Sequence, residues 1–213
     1  MTLWAFHRTK LSQMAFKEIF PTTISEGSLP QSTSLRKSLL KDILLISKED
    51  KLGREWSKTN YVGGYTSYAS LNNLHHRYPS FMEFEKQMGK EAVKFAQKLG
   101  WKLKGLELRM TDCWANIMPQ GTYHTLHFHP HSVLSGAFYV STPPGSVALK
   151  IEDPRMAFFM NAPQGKECYS AIPAKEGNFI LFESWLRHEV PPNQSKTNRV
   201  SISFNYALFD QED

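Results

Sequence analysis

His127 and His129, in the run Tyr123-His124-Thr125-Leu126-His127-Phe128-His129-Pro130-His131, are separated by one residue. On an extended chain they project from the same face while Phe128 points away. Imidazole is the commonest protein ligand for transition metals, so the pair reads as half of a metal site that needs a third ligand from elsewhere. His188 can supply it. It follows Gly177-Asn-Phe-Ile-Leu-Phe182-Glu-Ser-Trp-Leu-Arg187, a buried strand and a bend that return the chain toward the first pair. Beyond the turn Pro191-Pro192-Asn193, the stretch Arg199-Val-Ser201-Ile-Ser203-Phe-Asn205 alternates. Arg199, Ser201, Ser203 and Asn205 share one face, and Val200, Ile202 and Phe204 the other. A guanidinium on the inward face of a barrel demands a polar ligand, because an unpaired charge there is costly. A carboxylate fits its fork, and the Ser201 hydroxyl can add a hydrogen bond.

These residues require strands to carry them and a core to hold the strands. Met1 to Gln13 shows no period and reads as a disordered leader, with the domain beginning near Met14. Phe16 to Phe20 predicts a short strand. Leu35, Leu39, Leu40, Ile43 and Leu44 recur at helical spacing between Ser34 and Ser47. Lys51 to Tyr68, rich in Gly, Ser and Tyr, predicts a loop suited to the rim of a cleft. His75 and His76 read as surface residues. Ser80 to Leu99 predicts a helix with an apolar stripe through Phe84, Met88, Ala92, Phe95 and Leu99, a capping box from Ser80 and Glu83, and a stop at Gly100.

After Gly100 the period changes to two. Strands are expected over 103–110, 114–118, the histidine run, 136–140, 147–151, 178–182, 186–190 and 199–208. Helices first, strands second and no β-α-β alternation predict an α+β, mainly β chain: a double-stranded β-helix, or jelly roll, supported by N-terminal helices. The division expected is one domain over 14–213, with helical support over 14–100 and the barrel over 101–213.

Composition excludes several classes. No apolar run approaches the roughly 20 residues that span a bilayer. The two cysteines, Cys113 and Cys168, form neither a framework nor a CxxC pair, which suggests a reducing cytoplasm. The net charge of +5 comes from Lys and Arg scattered along the chain, arguing for a solvated surface over a nucleic-acid groove. The aromatics of 51–68 are compatible with a homodimer.

His-x-His, a distal His, and Arg-x-Ser eleven positions later (199 − 188 = 11) resemble the iron- and 2-oxoglutarate-dependent oxygenases. Within that superfamily the chain resembles a compact bacterial and phage group. The matching pieces are Trp114-Ala-Asn116, His127-Phe-His129-Pro130, Ser135-Gly-Ala-Phe-Tyr139, Asp153-Pro-Arg155, Leu181-Phe-Glu-Ser184-Trp-Leu-Arg-His188 and Arg199-Val-Ser201-Ile-Ser203-Phe-Asn205, with Asn60-Tyr-Val-Gly63-Gly64 earlier. The resemblance implies Fe(II) in the barrel, 2-oxoglutarate chelating it with its far carboxylate on Arg199, and O2 as oxidant. Succinate and CO2 would form as a small molecule or protein side chain is hydroxylated.

One departure is that most of the superfamily uses a carboxylate where this chain has His129. Either His127, His129 and His188 form an all-imidazole set, the preferred reading, or a carboxylate such as Asp153 replaces one of them. Asn116 and Tyr139 are candidate contacts for cosubstrate, with a satisfied amide and a core aromatic as the plain alternatives. Trp185 is expected behind His188, and Arg155 either at a second anion or beside Asp153. His124 and His131 are left as supporting or surface residues. A cupin-like metalloenzyme that does not use 2-oxoglutarate, and a non-catalytic metal-binding module, are the competing functions.

Overall fold

Two antiparallel sheets face each other, and the larger one carries the helices on its back. The computed structural model describes residues 15–211 except 31, 156, 162, 164 and 166, so the expected leader over 1–13 lies outside the described residues. Ten strands form the sheets: β1 (Ser25–Ser28), β2 (Tyr65–Thr66), β3 (Leu106–Met118), β4 (His124–His127), β5 (Leu134–Ser141), β6 (Leu149–Glu152), β7 (Tyr169–Ile172), β8 (Asn178–Glu183), β9 (His188–Val190) and β10 (Arg199–Asp210). The six-stranded sheet runs β1-β8-β5-β10-β3-β2 and the four-stranded sheet β4-β9-β6-β7. The fold is a double-stranded β-helix with supporting helices α1 (Ser32–Glu49), α2 (Lys51–Asn60) and α3 (Pro79–Lys98), and a short α4 (Phe158–Asn161).

Period-two alternation divides the chemistry between two layers. On β10, Val200, Ile202 and Phe204 join a core with Phe138 and Val140 of β5, Cys113, Ala115 and Ile117 of β3, and Leu39, Ile43, Phe84 and Met88 of the helices. The opposite faces build a second, inter-sheet core from Met118, Tyr139, Ile180, Phe182, Leu186 and Val190. Polar residues of β10 can therefore face inward without weakening the attachment of the helices. β10 pairs with β3 along its whole length. Its register advances two residues on β3 between Asn205↔Asp112 and Tyr206↔Met110, leaving Thr111 as a bulge.

Several expectations need correction. Residues 16–20 form no strand; the first strand is β1, against β8. Residues 103–118 form one long strand from Leu106 instead of two. Along α1 the buried stripe is Leu35, Leu39, Ile43 and Ile46, while Leu44 is exposed. Lys51 to Tyr68 is no loop: it starts with α2, whose N-cap Asp50 accepts from Gly53 N at 2.9 Å. Asp50 also accepts from Tyr65 Oη at 2.8 Å and Ser70 Oγ at 2.6 Å, tying the helix to β2. The α2 face that packs inward carries buried Gly53 and Ser57 in place of an apolar stripe, so no hydrophobic period marks it.

The expected capping box of α3 is also absent. Tyr78 stands at the N-cap without a side-chain bond, and Ser80 Oγ donates to Asp42 at 2.5 Å instead. His75, expected at the surface, is buried, while His76 is exposed. Both cysteines are free thiols. Among the described residues no helix is long and apolar enough to cross a membrane.

Gly136 lies in the middle of β5, where a Cβ would stand 2.5 Å from the Ile180 carbonyl oxygen and 2.6 Å from the Phe204 ring. Gly136→Ala is expected to destabilise the protein by about 1–3 kcal/mol, although Ala usually costs a strand less than Gly. Urea unfolding checks this, and unchanged stability would contradict the close packing of β5, β8 and β10.

Candidate metal centre and active site

The pairing of β4 with β9 sets His127 directly opposite His188. His129 follows β4 outside regular structure, and its backbone N–H donates to the Ser184 carbonyl at 3.1 Å. That carbonyl precedes the turn leading to His188, so one hydrogen bond joins the two chain segments that bear the candidate ligands. Behind it, the Ser184 and Ser135 hydroxyls lie 2.8 Å apart and Ser135 Oγ donates to Asn205 Oδ1 at 2.8 Å, linking the turn to β5 and β10. Neither serine declares this role in the sequence.

One nitrogen from each of His127, His129 and His188 comes within 4.8 Å of the others. His127 Nδ1 lies 2.6 Å from the Thr125 carbonyl and His188 Nδ1 2.9 Å from the Leu186 carbonyl. A carbonyl only accepts, so each Nδ1 carries the proton and each Nε2 keeps its lone pair for a metal. The Nε2 atoms of His129 and His188 stand 3.3 Å apart. Burial, with His188 and His127 beside it, lowers the pKa of His129 to about 3. Burial, then His127, lowers that of His188 to about 4 against the opposing Leu186 carbonyl. Both rings are neutral at pH 7, the form that ligates. Phe182 packs on His188 with ring centroids 4.7 Å apart, whereas Trp185, expected there, is 51% exposed. Asp153 lies outside the three-histidine group: its carboxylate takes the Arg155 Nε at 2.9 Å.

The histidines open into a cavity of about 760 Å³ between the sheets. Arg199 and Ser201 line it and are nearly inaccessible to solvent, at 2% and 4% exposure. The guanidinium contacts Met118 Sδ at 3.7 Å and lies 5.2 Å from the Tyr139 ring centroid; it has no carboxylate partner among the described residues. Arg199 Nε, Tyr139 Oη and Tyr61 Oη are all enclosed with no hydrogen-bond partner among the described residues. Burial pushes both phenols up in pKa against the pull of Arg199, so they are protonated donors. Asn116 donates to Ser203 Oγ at 3.0 Å, leaving its Oδ1 enclosed and unpartnered. Tyr61, at the end of α2, carries no sequence signal, because the inward face of its helix has no apolar period. It stacks on His124 at 4.5 Å, which accounts for that histidine. His131 is exposed, with φ of 65°.

Residues 112–205, which carry all of these groups except Tyr61, match the family model described as "Putative 2OG-Fe(II) oxygenase". The match places this stretch in likeness to the 2OG-Fe(II) oxygenases. Solved oxygenases share the fold over most of the chain. A prolyl-4-hydroxylase from Pseudomonas putida is 15% identical, with a TM-score of 0.62 over 87% of this chain and 92% of that one. A prolyl hydroxylase from Trichoplax adhaerens, in complex with a hypoxia inducible factor peptide fragment, is 14% identical, with a TM-score of 0.57 over 86% and 83%. HygX from Streptomyces hygroscopicus, with nickel, 2-oxoglutarate and hygromycin B bound, is 10% identical, with a TM-score of 0.58 over 87% and 83%. No curated protein sequence matches the chain.

An unfolded imidazole takes up its proton below about pH 6.5, whereas His129 and His188 resist protonation until about 3 and 4. The unfolded state therefore binds more protons as pH falls, and the folded state loses stability below about pH 6.5. Urea midpoints of metal-free protein are expected to drop between pH 6.5 and 4, less steeply in the His129→Gln, His188→Gln double variant. Equal slopes would contradict the enclosure of the two rings.

Proposed function

We propose that this protein is an Fe(II)- and 2-oxoglutarate-dependent oxygenase in which His127, His129 and His188 hold the metal. Arg199, Ser201, Tyr139 and Asn116 receive 2-oxoglutarate. The observation that carries the proposal is the buried guanidinium of Arg199, without a carboxylate partner among the described residues, on the wall of the three-histidine cavity. A charge so enclosed is strongly unfavourable until a carboxylate joins it. The enclosed hydroxyl of Tyr139 beside it is a further donor for the same anion.

Iron and 2-oxoglutarate, when bound, would supply the oxidation: O2 and 2-oxoglutarate are consumed, and succinate, CO2 and a hydroxylated substrate result. The chain's own part is positional. The Thr125 and Leu186 carbonyls hold two imidazoles with Nε2 facing inward, and Arg199 orients an anion at the far side of the same cavity. Phe182 and Leu149 exclude water from that side. The substrate is a small molecule or a protein side chain. The free thiols suit a reducing compartment, and we place the enzyme in the cytoplasm.

A second reading follows from the donor set alone. Three neutral imidazoles also suit zinc or copper in a cupin-like enzyme, with Arg199 holding a substrate carboxylate directly. Anaerobic titration with Fe(II) and then 2-oxoglutarate separates the two. A visible metal-to-ligand charge-transfer band is expected only with both present, absent in His188→Ala and retained in Asp153→Asn. Arg199→Ala is expected to raise the 2-oxoglutarate concentration required by about tenfold or more. Absence of the band in protein carrying one Fe(II) would sink the oxygenase proposal.

A further inference from the structure

The cavity continues past the histidines along the β3–β10 floor, and its far part differs in chemistry from the Arg199 end. Register sets Ser201 against Asn116, Ser203 against Trp114 and Asn205 against Asp112. Asp112 is the sole carboxylate among the described residues lining the cavity. It accepts from Thr111 Oγ1 at 2.9 Å and Asn72 Nδ2 at 3.0 Å, both neutral donors, and forms no ion pair among the described residues. Its charge is thus oriented but not neutralised.

An aromatic wall stands beside it. Trp56 of α2 lies 6.2 Å from Tyr68, Tyr68 meets Trp114 edge-on at 5.2 Å, and Trp114 lies 5.9 Å from the His129 ring. All four line the cavity. Tyr68 is 48% exposed and Trp114 6%, so the wall runs from solvent inward to a metal-ligand candidate. Aromatic faces with a half-buried carboxylate beside them on the same strand attract an organic cation, through the ring quadrupole and by charge. A sugar or a neutral nucleobase would use the faces but would leave the carboxylate's charge uncompensated.

We propose that this half of the cavity binds an organic cation, an ammonium or guanidinium borne by the substrate, between the Trp56–Tyr68–Trp114 wall and Asp112. The inference rests on the oxygenase reading above and names its substrate class. Two residues of strand separate Asp112 from Trp114, about 7 Å. A substrate anchored by its cation at Asp112 therefore lies along Trp114 with its other end toward His129, the placement needed for reaction several bonds from the charge.

Full-length protein held anaerobically with Fe(II) and 2-oxoglutarate is to be titrated calorimetrically with N-acetyl-lysine and N-acetyl-arginine methylamides. Their neutral counterparts, the norleucine and citrulline methylamides, serve as controls. The cationic member of each pair is expected to bind about tenfold tighter. That preference should fall to within about twofold in the near-isosteric Asp112→Asn. Tyr68→Leu, at a half-exposed position away from the strand, is expected to weaken the cationic ligands about threefold and the neutral ones little. A cationic preference below twofold in the parent protein, a preference retained in Asp112→Asn, or cation affinity unchanged in Tyr68→Leu would overturn the proposal. The charge-transfer band read in the same samples reports separately on the oxygenase reading. A band without cation preference overturns the substrate class alone, and cation preference without a band overturns the oxygenase reading alone.

Discussion

Burying the Arg199 guanidinium inside a protein barrel is tolerable only if the surrounding structure is rigid enough to hold it there. That rigidity comes from the strand that carries it. β10 pairs with β3 and β5 on its two sides, and its alternate residues Val200, Ile202 and Phe204 lock into the helices. Sheet hydrogen bonds and the apolar outer core together stabilise a strand whose inner face carries costly unpaired polar groups.

The same division of labour extends to the histidines. His127 and His188 are matched by strand pairing, whereas His129 sits off the strand and owes its place to the Ser184 carbonyl. A ligand on irregular backbone can be shifted by small rearrangements that a ladder would resist. The Ser135, Ser184 and Asn205 hydrogen bonds answer that weakness by fastening the turn to the central strands.

The barrel was legible in the sequence because its signals are local. Period two marks β3 and β10, apolar runs mark β5 and β8, and His-x-His, His and Arg-x-Ser mark the segments on which the candidate ligands and Arg199 lie. The support region was less legible for identifiable reasons. α2 packs through Gly53 and Ser57, where a Cβ on Gly53 would meet Asp50 and Ser70, so its inward face is small and carries no apolar period. With that helix unread, Tyr61 and the placement of Trp56 were invisible. Ser80 lost its capping role to Asp42, 38 residues away. The burial of His75 depends on α3 and β3 packing around it, which its own neighbours in sequence do not announce. Asp112, a lone Asp in a strand, carries no pattern that marks it.

The bulge at Thr111 has a consequence for what the cavity can hold. A strand of uniform phase would keep presenting every second residue to the interior, and the polar floor would continue toward the open end. One inserted residue reverses the phase of β3, so that Met110 joins the helix-facing core while Asp112, two positions on, faces the cavity. The floor therefore ends at Asn205 and Asp112, beyond which Ala207, Leu208 and Phe209 close the cavity with apolar surface. In effect the insertion fixes a length. The polar floor thus runs from Arg199 to Asp112, and moving the bulge by two residues along the strand would change its length without altering any of the three histidines.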